Sequence, residues 1–153
     1  MTKQIIVVNK GLKMSAGKLS AQVAHASQAF LTREFLINPD SKHAQPAIDK
    51  ETNKLMGYNL NIFVDTESYK WITDSYTKVV CEVKNESELQ KVVDRAIKVG
   101  LTENKDFFKI IDNGYTEFNG EKTWTCIGFR PMENEKIDKI TKRLRLFKGE
   151  ITY

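Results

Sequence analysis

Lys18, Gln22 and His25 fall at i, i+4 and i+7 in a stretch, Leu12 to Ala26, that reads as a loop running into a helix. The spacing puts an ammonium, an amide and an imidazole on one stripe. Beside it Leu19, Val23, Ala26 and Phe30 follow i, i+4, i+7 and i+11, the rhythm of a buried face. Lys18 lies in the first helical turn, where unpaired amides and the helix dipole already favour an anion. A cation there opposes the dipole, so its position suits a ligand such as an oxyanion or a phosphate. A solvated lysine at a helix start is the alternative that spacing leaves open. Ser15 stands where its hydroxyl can cap the first turn.

Two other chemistries do not fit. A phosphate-binding P-loop needs four residues between its glycines and a Ser or Thr after the lysine. Here five residues separate Gly11 from Gly17, and Leu19 follows Lys18. The only two cysteines, Cys81 and Cys126, sit inside apolar strand-like runs and read as buried free thiols of a reducing compartment. With the two histidines far from them, no metal-ligand spacing appears, so neither a metal nor another cofactor is expected.

Charge points toward a partner. There are 24 basic and 20 acidic side chains, a formal net charge of +4. Lys3, Lys10, Lys13 and Lys18 cluster near the start. Lys136, Lys139, Lys142, Arg143, Arg145 and Lys148 cluster near the end. If the two ends meet, they form a basic face suited to nucleic-acid phosphates. Glu133, Glu135 and Asp138 are interleaved, so a solvated helix face remains the plain alternative. No apolar run is long enough to span a membrane, and Met1 to Gln4 shows no secretion signal. A cytoplasmic location is expected.

The elements that must position these residues alternate. Residues 4–8 read as a buried strand and about 15–35 as the first helix. From Asn38 to about Tyr58 the sequence is polar and irregular, with Pro39 and Pro46 as breakers. Asn59 to Val64 suggests a strand, and Thr66 to Ile72 a short helix capped by Asp65. Thr77 to Val83 is a Val-rich strand. Asn85 and Glu88 form a capping box for a helix whose core face is Leu89, Val92, Val93, Ala96 and Ile97, ended by Gly100. Phe107 to Asp112 and Thr123 to Phe129 read as antiparallel strands joined through Asn113-Gly114 and Asn119-Gly120. Pro131 stops the second, and Ile137, Ile140, Leu144 and Phe147 stripe a last helix. The pattern predicts one α/β domain over 1–153, with a mixed four-stranded sheet and helices on both faces.

Several separated motifs then agree with one family. Leu12-Lys13-Met14, Gly17-Lys18, Ala21-Gln22 and His25-Ala26 resemble the opening of the type II peptidyl-tRNA hydrolases. Trp71 before Lys78-Val79-Val80 resembles that family's second-strand entry. Glu88-Leu89, Ala96 and Gly100-Leu101 resemble its central helix, and Asp112-Asn113-Gly114-Tyr115-Thr116 its aspartate–glycine–threonine loop. Thr125, Gly128 and Pro131 resemble its last strand, and Ile137-Asp138-Lys139 with Leu144 its closing helix. The resemblance covers residues 4–37 and 71–147. About 38–70 reads as an insertion, Tyr115 stands where the family usually has an arginine, Arg130 replaces a glycine, and the loop from Asp112 to Thr125 is one residue longer.

The resemblance implies hydrolysis of the ester that joins a peptide to the 3′ end of tRNA. Such a reaction needs a positioned water and a donor for the developing oxyanion. No Ser/His/Asp order reads as a nucleophilic triad, so direct attack by water is expected. Lys18, Gln22, Asp112, Thr116 and Thr125 match the residues the family uses. Lys18 would stabilise an oxyanion or phosphate, Asp112 would orient water or the lysine, Gln22 would hold a carbonyl or water, and the threonines would supply hydroxyls. Read without the family, Asp112 has a plainer alternative as the cap of its own turn, and the threonines could be plain strand residues. Lys13, His25, Tyr115, Lys142 and Arg143 are expected to bind substrate; His25, nearly two turns from Lys18, reads as a core-edge histidine rather than a base. Peptidyl-tRNA is the expected partner, no membrane is, and a homodimer is allowed. The reading from a different class is an inactive RNA- or protein-binding module on the same fold.

Overall fold

The computed structural model describes residues 1–37 and 43–149. Its centre is β1 (Thr2–Asn9), whose apolar run is buried on both faces. Ile5 and Val7 face one way, into a core shared with Leu89, Val92, Val93 and Ala96 of α3 (Glu86–Lys98) and Ile137 and Ile140 of α4 (Asn134–Thr141). Ile6 and Val8 face the other way, toward Ala26 and Ala29 of α1 (Ala16–Ile37). A strand buried on both faces reads as a continuous hydrophobic run rather than an alternating one.

The sheet runs β5 (Phe107–Asp112), β6 (Thr123–Phe129), β1, β4 (Lys78–Val83), β8 (Arg145–Leu146), and β7 (Met132–Glu133) also pairs with β1. β1 is parallel to β4 and antiparallel to β6, so the sheet is mixed, as expected. The four long strands are those expected; two two-residue strands extend them. The bounds of β5 and β6 agree with the sequence reading. Asn85 caps α3 by accepting from the Glu88 amide at 3.0 Å. The Glu88 carboxylate, however, bonds Lys91 at 2.7 Å, so the expected box is one-sided.

Three expectations are corrected. Within the stretch expected to be irregular, the described residues hold two strands, β2 (Ala44–Ile48) and β3 (Leu55–Leu60), which form a separate antiparallel hairpin. Pro46 is tolerated inside β2 because a two-stranded hairpin has an outer edge that needs no ladder donor; Pro39 lies outside the described residues. The strand placed at Asn59–Val64 is therefore β3, shifted earlier in the chain. The last helix stops at Thr141. Beyond it, Arg145 and Leu146 pair with Glu82 and Cys81, and the Phe147 amide donates to the Val80 carbonyl. Leu144 stays with the α3/α4 core while Phe147 crosses to the α1 side, so the four-residue stripe is split between two faces. The short helix α2 (Thr66–Thr73) forms as expected, with Asp65 accepting from the Ser68 amide at 2.7 Å.

One contact sets how closely α1 lies on the sheet. A Cβ added at Gly128 of β6 would stand 2.2 Å from the Ala26 carbonyl oxygen of α1. Only a glycine beneath an alanine-lined turn lets backbone approach backbone this closely. Gly128→Ala should therefore push α1 off the sheet and cost about 1–3 kcal/mol of stability or more, read from urea or thermal unfolding. A variant as stable as the parent would show that the approach is not tight.

Candidate active site

Three elements converge at one edge of the sheet. α1 brings Lys18 and Gln22, β5 ends in Asp112, and β6 brings Thr125. Thr125 reaches this face through a break in register. Ile110 pairs with Cys126 but Ile111 pairs with Trp124, so Thr125 is the extra residue of a β-bulge. In a regular strand Thr125 and Cys126 would point to opposite faces. Here both touch α1: the Thr125 hydroxyl donates to Gln22 Oε1 at 2.7 Å, and the Cys126 thiol lies 3.5 Å from the Gln22 carbonyl. Trp124 joins the opposite core.

From Thr125 the chain of polar contacts runs outward. Gln22 is 3% exposed, and its Nε2 donates to Asp112 Oδ2 at 2.9 Å. The same oxygen lies 2.6 Å from Lys18 Nζ, with both side chains 11% exposed. Asp112 Oδ1 accepts the Gly114 amide at 2.7 Å. Lys18 Nζ also donates to the hydroxyl of Thr116, an exposed residue, at 3.1 Å. An ammonium carries three protons. Asp112 and Thr116 take two, which leaves one for a ligand.

Burial pushes the Asp112 carboxyl up, but the Lys18 ammonium, the Gly114 amide and the Gln22 amide outweigh it and hold it below the ordinary carboxylate value. Asp112 is thus a fixed negative charge at neutral pH and a weak base. Its first structural role is to hold a cation beside the positive end of a helix.

The loop after β5 closes over that end. Ser15 caps α1, accepting from the Lys18 amide at 3.3 Å. Its own amide and hydroxyl both donate to the Glu117 carboxylate. The sequence marks Glu117 only as an acidic residue next to Thr116, alongside a helix start with no acid in its first turn.

The other expected site residues divide. Thr125 is fully buried and fixes Gln22 from below. His25 is exposed rather than lodged at the core edge, because the loop contacts that cover α1 fall on its first turn. Tyr115 is exposed beside Thr116. Lys13 and Arg143 line one cleft of about 500 Å³ with Lys10, Lys84 and Arg145. The two basic ends of the chain therefore do meet. Glu82 in this cleft pairs with Lys10 at 3.1 Å, whereas Lys13, Lys84, Arg143 and Arg145 make no ion pair among the described residues. Lys142 is exposed but outside the cleft lining.

Both cysteines are buried, as expected. Burial pushes the Cys126 thiol up to about 12 and raises that of Cys81, so neither is poised as a nucleophile. Among the described residues no three His, Cys, Asp or Glu side chains gather into a metal-holding group.

The family described as Peptidyl-tRNA hydrolase PTH2 matches residues 2–147. A protein named peptidyl-tRNA hydrolase from Thermoplasma acidophilum is 31% identical over 144 residues, 94% of this chain and 97% of that one. Its namesake from Methanopyrus kandleri is 32% identical over 148 residues, covering 97% and 100%. The one from Sulfurisphaera tokodaii is 32% identical over 145 residues, covering 95% and 98%. The chain is a member of the PTH2 family of peptidyl-tRNA hydrolases.

Proposed function

We propose that this protein hydrolyses peptidyl-tRNA at the site built by Lys18, Asp112, Gln22, Thr116 and Thr125, working as one domain in the cytoplasm. The observation that carries the reading is the Lys18 ammonium, held by Asp112 at 2.6 Å and Thr116 at 3.1 Å with one proton unassigned. Water adds to the ester carbonyl and forms a new C–O bond. The carbonyl oxygen becomes an oxyanion, which the remaining Lys18 N–H meets. Collapse breaks the bond to the ribose oxygen, which takes up the proton that the water gives away. Thr116, exposed beside Lys18, is placed to orient the water. Asp112 keeps the ammonium in position, and Gln22 and Thr125 keep Asp112 in position.

The cleft lined by Lys13, Lys84, Arg143 and Arg145 suits the phosphates of the tRNA. Affinity is therefore expected to fall steeply with salt. Charge reversal at Lys142 and Arg143 together should raise KM more than it lowers kcat. Unchanged kinetics at low salt would place the RNA on another face. A homodimer belongs to the same proposal, with sedimentation of the pure protein as its check.

The direct test is release of the acyl group from an N-blocked aminoacyl-tRNA by pure protein. Binding without release would favour the inactive module. If Lys18 and Asp112 act as one unit, Lys18→Ala and Asp112→Asn should each cut kcat by about 10²–10⁴-fold. The double variant should be hardly slower than either single, because residues that act together are not additive. Losses that multiply would mean that the two work independently.

A further inference from the structure

We infer that Tyr115 is the stacking platform for the nucleobase of the terminal tRNA nucleotide, a role that rests on the hydrolase reading above. A lone exposed ring is ordinary on a protein surface. This one differs in the backbone that carries it. Tyr115 is 90% exposed, yet its loop is fastened on every side. Gly114, immediately before it, has φ +78°, donates to Asp112, and has no room for a Cβ, which would stand 2.6 Å from the Glu121 carbonyl. The Gly120 amide donates to the Gly114 carbonyl at 2.9 Å, and the Glu121 amide to the Phe118 carbonyl at 2.9 Å. Glu117 is gripped by Ser15. Phe118 and Asn119 sit at φ +67° and +52°, a region that a bulky residue such as Phe seldom enters. The chain accepts this strain and still turns a large aromatic ring out to water.

The chemistry of the substrate says what that ring would meet. The scissile ester is on the ribose of the last nucleotide, and the same sugar carries the base. With the carbonyl at Lys18, the base lies within one nucleoside's length of the site. Tyr115 adjoins Thr116, whose hydroxyl is 3.1 Å from Lys18 Nζ. The nucleotide is unpaired, so its flat face is free to stack on an aromatic side chain. The other aromatic of the loop is already engaged: Phe118 is half-buried, and Lys18 Nζ lies 5.8 Å from its ring centre.

Two readouts test this, one of them independent of turnover. With N-acetylaminoacyl-tRNA as substrate, Tyr115→Leu should raise KM by about 5- to 150-fold, the range of one lost base–aromatic stack, with a smaller change in kcat. Tyr115→Phe should recover most of that loss. With uncharged tRNA carrying 2-aminopurine in place of the terminal adenine, the parent and Tyr115→Phe should quench the fluorescence, and folded Tyr115→Leu should not. A Tyr115→Leu protein that matches the parent in both KM and quenching would overturn the assignment. A parent that neither cleaves nor binds the tRNA would overturn the hydrolase reading and this one with it, whereas a parent that cleaves but never quenches would overturn this one alone.

Discussion

The contact between Lys18 Nζ and Asp112 Oδ2 is the constraint around which the site is built. An ammonium in the first turn of a helix faces the positive end of the dipole and the unpaired amides there. Left alone it would swing into water. Two carboxylates from the β5–β6 loop region offset this, Asp112 on the lysine and Glu117 on the helix start. Their arrival depends on α1 lying close over the sheet, which Gly128 permits, and on β5 ending where the first turn of α1 begins. A helix displaced by even a methyl group would stretch the pair and loosen the loop that carries Thr116.

Beneath the ion pair lies a buried polar layer, Gln22 and Thr125. The bulge in β6 turns Thr125 toward α1, and its hydroxyl fixes the Gln22 amide so that Nε2 is presented to Asp112. A buried amide or hydroxyl without a partner is costly. Here each satisfies the next, ending on a charge at the rim. In the proposed mechanism the outer members, Thr116 and the remaining proton of Lys18, are those that meet the substrate, and burial rather than residue type separates them from the groups that position them.

Much of this was legible in the sequence, and the rest was hidden for identifiable reasons. Strand runs such as Phe107–Asp112, the caps at Ser15, Asp65 and Asn85, and the placement of Lys18 are local signals, and local physics decides them. The bulge at Thr125 is not local, because it exists only in the pairing of β6 with β5. Glu117 is one carboxylate among many until the loop brings it to Ser15. His25 and Gln22 share a stripe on paper, yet only Gln22 lies beneath a neighbour. The hairpin of β2 and β3 escaped because its apolar residues, Leu55, Met56, Tyr58 and Leu60 among them, are exposed and give no core rhythm. Arg130 bonds Asp65 and Glu67 at the start of α2 and Asp106 before β5, at 2.8, 3.0 and 2.8 Å. It ties the start of α2 to the body of the fold.

The site stands on a charge pair in which the Lys18 ammonium, held against Asp112, keeps its carboxyl below the ordinary range. Titration of the Asp112 side-chain carboxyl, followed by ¹³C NMR in the parent and in Lys18→Ala, measures this directly. The parent should titrate below the ordinary carboxylate range, and removal of Lys18 should move the midpoint upward. A midpoint in the parent at or above the ordinary range, unmoved by Lys18→Ala, would contradict the ion pair and the catalytic arrangement built on it.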